Sequence, residues 1–234
     1  MADMTDHLET FDGFHGVELE VRARGRRRSL RGRFPYSPGA GRRMATVRDR
    51  GRVRKERIAP DAFGWQIREF ERVQAELARV IEESVDQART ELLRQELERR
   101  NVHVLVGHDY GKPLGDLRSG TASITSDRNS LQFEVDLPEE GDMPTWMIDA
   151  VRQVRAGLAG GVSPGFRVPP PATVANAEVF ESEPGNPAVQ VRVIKAAVLS
   201  EISVVTRPAY STTELDLRAF DPGRPGERKR RVWL

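Results

Sequence analysis

Residues 66–100 contain neither glycine nor proline, and Ile67, Phe70, Val73, Leu77, Ile81, Val85, Ala88, Leu92 and Leu93 recur every three or four positions. That spacing gathers the apolar side chains on one face of a helix. One unbroken amphipathic helix of this length would reach about 50 Å at about 1.5 Å per residue. A domain of this size needs less than that for its own core, so the helix is expected to project or to pair.

The remainder reads as short strands with one further helix. Residues 17–24 alternate apolar and charged at period two, the pattern of a half-buried strand. Residues 31–41, with two prolines and three glycines, read as a turn-rich loop, and 54–58 as extended chain. The run 102–106 is a short strand ending at Gly107-His108-Asp109, and 112–115 reads as a second turn. A hairpin is expected from 122–125 and 131–137 around the polar turn 126–129. Met147, Ile148, Val151 and Val154 have helical spacing after Pro144, and Gly157 ends that helix. An extended 166–168 and a proline-bearing loop over 169–185 precede two strands at 188–194 and 196–205.

With 38% hydrophobic and 31% charged residues, the 234-residue chain has the composition of a folded protein with a very polar surface. It lacks cysteine, which excludes disulfides, thiolate catalysis and cysteine-ligated zinc. No run approaches the roughly 18 apolar residues of a membrane span, and the acidic start has no signal-peptide pattern. A soluble protein without a membrane partner is expected. The net charge of +2 hides a basic segment, for residues 21–57 carry 15 Lys/Arg against Asp49 and Glu56 alone. Such a patch suits nucleic acid or an acidic protein surface, but an Arg-rich coding bias also produces it. No base-stacking motif accompanies it, so a nucleic-acid partner is not expected.

Serine hydrolysis needs a hydroxyl that can lose its proton, a neutral imidazole to take it, and a polar group to hold the imidazole. The candidates are Ser163 in a glycine-flanked turn, His108 at a strand end, and Glu201 in the apolar run 198–205. Taken singly, a serine between glycines is usually a turn residue and a strand-end histidine usually a surface one. Glu201 is stronger, because a carboxylate in so apolar a strand is rarely buried without a partner. Asp109 and Ser203 are rivals for the polar third place. Asp109 adjoins His108 and points away in an extended chain, while Ser203 shares the face of Glu201 and fits a hydrogen bond within a barrel. His103, at odd spacing from His108, is expected on the opposite face in a structural role.

Three separated segments resemble the tailed-phage prohead protease family, relatives of the herpesvirus assemblin. They are Val104-Leu-Val-Gly-His108-Asp-Tyr-Gly-Lys-Pro-Leu-Gly115, then Leu158-Ala-Gly-Gly-Val-Ser163-Pro-Gly-Phe166, then Ala197-Val-Leu-Ser-Glu201-Ile-Ser-Val-Val-Thr-Arg-Pro-Ala-Tyr210. Gly32-Arg-Phe-Pro-Tyr36 and Glu56-Arg-Ile-Ala-Pro-Asp-Ala-Phe63 also look like the family's N-terminal strands and the turn after them. The resemblance implies Ser163 as nucleophile, His108 as general base and Glu201 as the residue that orients His108, at the position where the herpesvirus relatives place a second histidine. Pro164 has no N–H to offer an oxyanion, which leaves Gly165 N–H or Arg207 as donor.

The fold so implied is α+β: a closed, mostly antiparallel β-barrel flanked by helices, with the long helix inserted over 66–100. Residues 1–220 would form one protease domain and 221–234 a flexible basic tail. The tail ends in Arg228-Lys-Arg-Arg231-Val-Trp-Leu234, suited to dock on an acidic surface or to fray. The implied function is maturation cleavage of scaffold and major capsid protein, and of the chain itself, inside an assembling prohead in the host cytoplasm. No metal or cofactor is implied, and self-association through 66–100 is expected. The rival reading is a non-catalytic scaffold or capsid-binding protein on the same fold.

Overall fold

The computed structural model describes residues 9–10, 18–24, 27–36, 45–49, 52–83, 86–183 and 185–206. Arg207 and the tail 221–234 lie outside them. In chain order the elements are β1 (Glu9–Thr10), β2 (Glu18–Arg24), β3 (Arg27–Pro35), β4 (Ala45–Asp49), β5 (Arg52–Ile58), α1 (Gly64–Glu83) and α2 (Gln87–Arg100). There follow β6 (His103–Val106), β7 (Asp109–Asp116), β8 (Ala122–Ser126), β9 (Ser130–Leu137), α3 (Thr145–Arg155), β10 (Gly161–Arg167), β11 (Glu178–Glu183), β12 (Asn186–Ile194) and β13 (Val198–Val205).

Three sheets result, in the orders β1-β2-β3-β9-β8, β10-β13-β6-β7 and β11-β12-β5-β4. All pairings are antiparallel except β13 with β6 and β12 with β5. Period-two alternation aims one face of β9 inward through Leu131, Phe133, Val135 and Leu137 while Gln132 and Asp136 stay exposed. These side chains share one core with Val104, Val162, Ile202 and Val204 of the second sheet, Ile67, Phe70 and Val73 of α1, and Met147, Val151 and Val154 of α3. Each such buried side chain contributes on the order of 1.5–3 kcal/mol relative to exposure.

The expected closed barrel is not formed. Each sheet is open, and among the described residues no ladder joins one sheet to another. Closure would require the edge strands to find partners at a consistent stagger. The second sheet instead carries a proline at each edge, Pro164 in β10 and Pro113 in β7, and proline cannot donate to a further ladder. The sheets meet by side-chain packing: a Cβ on Gly115 of β7 would come within 3.1 Å of Val135 Cγ1 in β9.

The single long helix is also replaced, by an antiparallel pair. The break falls at Asp86, which has extended backbone (φ −148°, ψ 100°) and accepts the Arg89 N–H at 3.0 Å, an N-cap for α2. Folding back brings Arg89 Nη2 to 2.5 Å from Glu76 Oε1 and Gln66 Nε2 to 3.4 Å from Arg100 O. The apolar stripe of α1 packs on the core, while of α2 only Leu97 is buried. Asp86→Ala should destabilise the chain by about 0.5–2 kcal/mol, read as a lower Tm. An unchanged Tm would mean that the helix pair does not depend on this cap.

Two strands arise where turns were expected, β3 across 31–35 and β7 across 112–115, and β11 occupies part of the 169–185 loop. β7 and β11 are edge strands whose ladders carry register shifts, where proline and glycine are tolerated. β3, in contrast, is the central strand of its sheet and has its proline at the last position, Pro35. The hairpin β8–β9, helix α3 and the final strand β13 lie where the sequence places them. Gly157, at φ 68°, follows the α3 C-cap as expected.

Candidate active site

The site is built on β13. Ile202 and Val204 join the core, and Glu201 and Ser203 face the other way, yet both are buried, at 5% and 0% exposure. The ladder between β10 and β13 shifts register between Gly165 and Phe166, leaving Ser200 unpaired. This bulge lets Leu199 turn into the core without carrying Glu201 with it. Helix α1 fixes the same stretch, for Gln66 accepts Leu199 N–H on Oε1 at 2.5 Å and donates from Nε2 to Leu199 O at 2.8 Å.

Strand β6 runs parallel beside β13, with Val106 opposite Val204. It turns into β7 through Gly107 and His108, whose φ values are 65° and 61°. Two successive positive φ angles mark the tight two-residue hairpin turn that matches strand twist. Histidine is one of the few side chains enriched there. Gly107 N–H donates to Val204 O at 2.9 Å, and His108 N–H to Ser203 Oγ at 2.9 Å, so the turn lies over β13. The half-exposed His108 ring then places Nδ1 2.8 Å from Glu201 Oε1. Facing an ionised carboxylate, which can only accept, Nδ1 carries the proton and Nε2 is left as an acceptor.

Ser163 sits in β10 directly opposite Ser203, and residues opposed in an antiparallel ladder share a face with Cβ atoms about 5 Å apart. It is therefore on the face of Glu201 and Ser203, and 6% exposed. Gly165, two residues on, lies opposite Glu201, where a Cβ would come 1.9 Å from Oε1. Only a glycine leaves room for that carboxylate. Among the described residues no hydrogen bond joins Ser163 to His108. Catalytic contacts of this kind are often long until substrate closes them.

A family model for the caudovirus prohead serine proteases matches residues 52–224. The chain belongs to that family. The matched segment holds all three candidates, His108, Ser163 and Glu201, and places the protein among the serine hydrolases of bacteriophage capsid maturation. No curated protein and no solved structure gives a significant match.

In this prohead-protease chain the surroundings of the imidazole differ from those a continuous strand would give. The odd spacing of His103 and His108 places them on opposite faces only if the strand runs through both, and β6 ends at Val106. His103 instead lies opposite Glu201 in the parallel ladder, on its face, with its ring edge-on to Tyr110 at 5.6 Å. Burial, with the negative charge of Glu201, pushes the Tyr110 hydroxyl up. Asp109 is turned elsewhere: Oδ1 accepts Gly111 N–H at 2.8 Å and Oδ2 is 3.3 Å from Lys112 Nζ. Those two partners hold its carboxyl below the usual range. Ser203 is the residue whose part the sequence understated, since its Oγ bonds both Glu201 and His108. Among the described residues no group of three or more His, Asp or Glu is arranged to hold a metal.

Proposed function

We propose that this member of the prohead protease family is an active serine endopeptidase, with Ser163 as nucleophile, His108 as general base and Glu201 as the residue that orients it. The observation that carries the reading is the 2.8 Å contact from His108 Nδ1 to a buried Glu201 oxygen, on the face to which β10 brings Ser163. With Nδ1 so engaged, Nε2 accepts the Ser163 hydroxyl proton as Oγ attacks the peptide carbonyl. The tetrahedral oxyanion would be met by Gly165 N–H or Arg207, since Pro164 has no N–H to give. His108 then passes the proton to the departing amine, and water repeats the sequence on the acyl-enzyme.

The substrates proposed are the major capsid protein, the scaffold and the chain itself, cut inside the prohead in the host cytoplasm. Among the described residues no helix is long and apolar enough to cross a membrane. The helix pair, with Leu92 exposed, is the surface proposed for self-association, and residues 1–220 the protease domain. Incubating the purified chain with its own capsid and scaffold proteins should give discrete fragments. A folded chain that leaves both uncut would overturn the reading in favour of a non-catalytic assembly protein.

A further inference from the structure

Ser203 has no exposed surface, and its hydroxyl reaches two different parts of the site. It donates to Glu201 Oε2 at 2.6 Å and accepts the His108 main-chain N–H at 2.9 Å. A serine hydroxyl has one proton and two lone pairs, so the two contacts fit together: the proton serves the carboxylate and a lone pair serves the turn. A serine kept only to complete a buried sheet face would need one partner.

The two contacts converge on one imidazole. His108 holds a positive φ of 61°, a region that side-chain-bearing residues seldom occupy unless the surroundings fix them. Its N–H is anchored on Ser203 Oγ, which sets where the ring leaves the backbone. The same oxygen, by occupying Glu201 Oε2, turns Oε1 toward His108 Nδ1, 2.8 Å away. Leu105, itself fully buried, lies opposite Ser203 in the ladder.

We infer that Ser203 is a positioning residue for the general base: one hydroxyl fixes both the backbone of His108 and the carboxylate that aims its ring. The inference rests on His108 being the base of a proteolytic site. It assigns Ser203 no contact with substrate, so its loss lowers kcat and leaves KM nearly unchanged.

The test uses the full chain, a capsid-derived peptide that it cleaves, and proton NMR of the His108 Nδ1–H, whose hydrogen bond to a carboxylate gives a far-downfield resonance. Ser203→Ala should lower kcat by about 10- to 100-fold, the worth of a hydrogen bond to a charged group, and should shift or broaden that resonance. Ser203→Thr, which keeps the hydroxyl, should restore both. Should threonine not fit this buried position, Ser203→Cys conserves size with a much poorer donor and should behave like alanine. Val135→Ala, in the core away from the site, should lower Tm without moving the resonance. Wild-type kcat and resonance in Ser203→Ala would overturn the inference. A wild-type chain that shows the resonance, loses it in Ser203→Ala and yet cleaves nothing would overturn the protease reading while the positioning contact stands.

Discussion

Ser163→Ala is expected to reduce peptide cleavage to background, a loss of at least about 10⁴-fold in kcat, with His108→Ala as severe. Nucleophile and base act as a unit, so either loss forfeits nearly the whole of what the pair supplies, and the double variant should be no worse than either single one. The two changes differ in what they do to the fold. Alanine at 163 removes one oxygen from a residue 6% exposed in β10 and should leave Tm close to wild type. Alanine at 108 must hold φ near 61° without the contact to Glu201 that helps to fix it. His108→Gly adopts that angle freely, and should be more stable than His108→Ala by about 1 kcal/mol while equally inactive. Measurable turnover by folded Ser163→Ala would remove Ser163 from the site, and turnover by either His108 variant would remove His108.

What could be read in advance follows from what each signal depends on. Periodicity located β9 and α3 because each buries one face, and burial writes itself into residue spacing, whereas β13, buried on both faces, was marked by its apolar run. The apolar run around Glu201 marked a carboxylate that needed a partner, and its partners are His108 and Ser203. Sheet closure is a different matter, for it depends on whether distant edges meet, and no local pattern encodes that. The prolines at 113 and 164 carried the relevant signal, since both sit on sheet edges, but proline alone reads equally as a turn. Asp86 was the missed helix stop, a capping residue inside an otherwise unbroken periodic run. The face of His103 was misplaced for a similar reason: parity holds only within a strand, and two residues with positive φ, Gly107 and His108, lie between it and β7. The double role of Ser203 depends on a turn from one strand lying over another, which spacing within a single strand cannot reveal.

Gly165→Ala is expected to impair cleavage strongly, although it deletes nothing. A Cβ at this position would stand 1.9 Å from Glu201 Oε1, 2.7 Å from Cδ and 3.0 Å from Cγ, so the whole end of the carboxylate must move. It has little freedom to do so, with Oε2 held by Ser203 at 2.6 Å and Oε1 by His108 at 2.8 Å. Moving it breaks the second contact, which leaves the imidazole unaimed and the buried charge short of a partner. The expected cost is about 10²- to 10⁴-fold in kcat, the range for losing the group that orients a catalytic histidine, with about 1–3 kcal/mol of stability from overpacking. Alanine keeps the main-chain N–H, so this loss reports on the carboxylate and not on any oxyanion donor at 165. Shortening the acid separates packing from chemistry: adding Glu201→Asp to Gly165→Ala makes room and should recover Tm, while the retracted carboxylate no longer reaches Nδ1 and activity stays low. Because Gly165→Ala and Glu201→Gln act through the same contact, their effects on kcat should fall well short of additive. Full activity and unchanged Tm in Gly165→Ala would show that Glu201 does not need the space this glycine leaves, and with it would fall the assignment of Glu201 as the residue that holds the base.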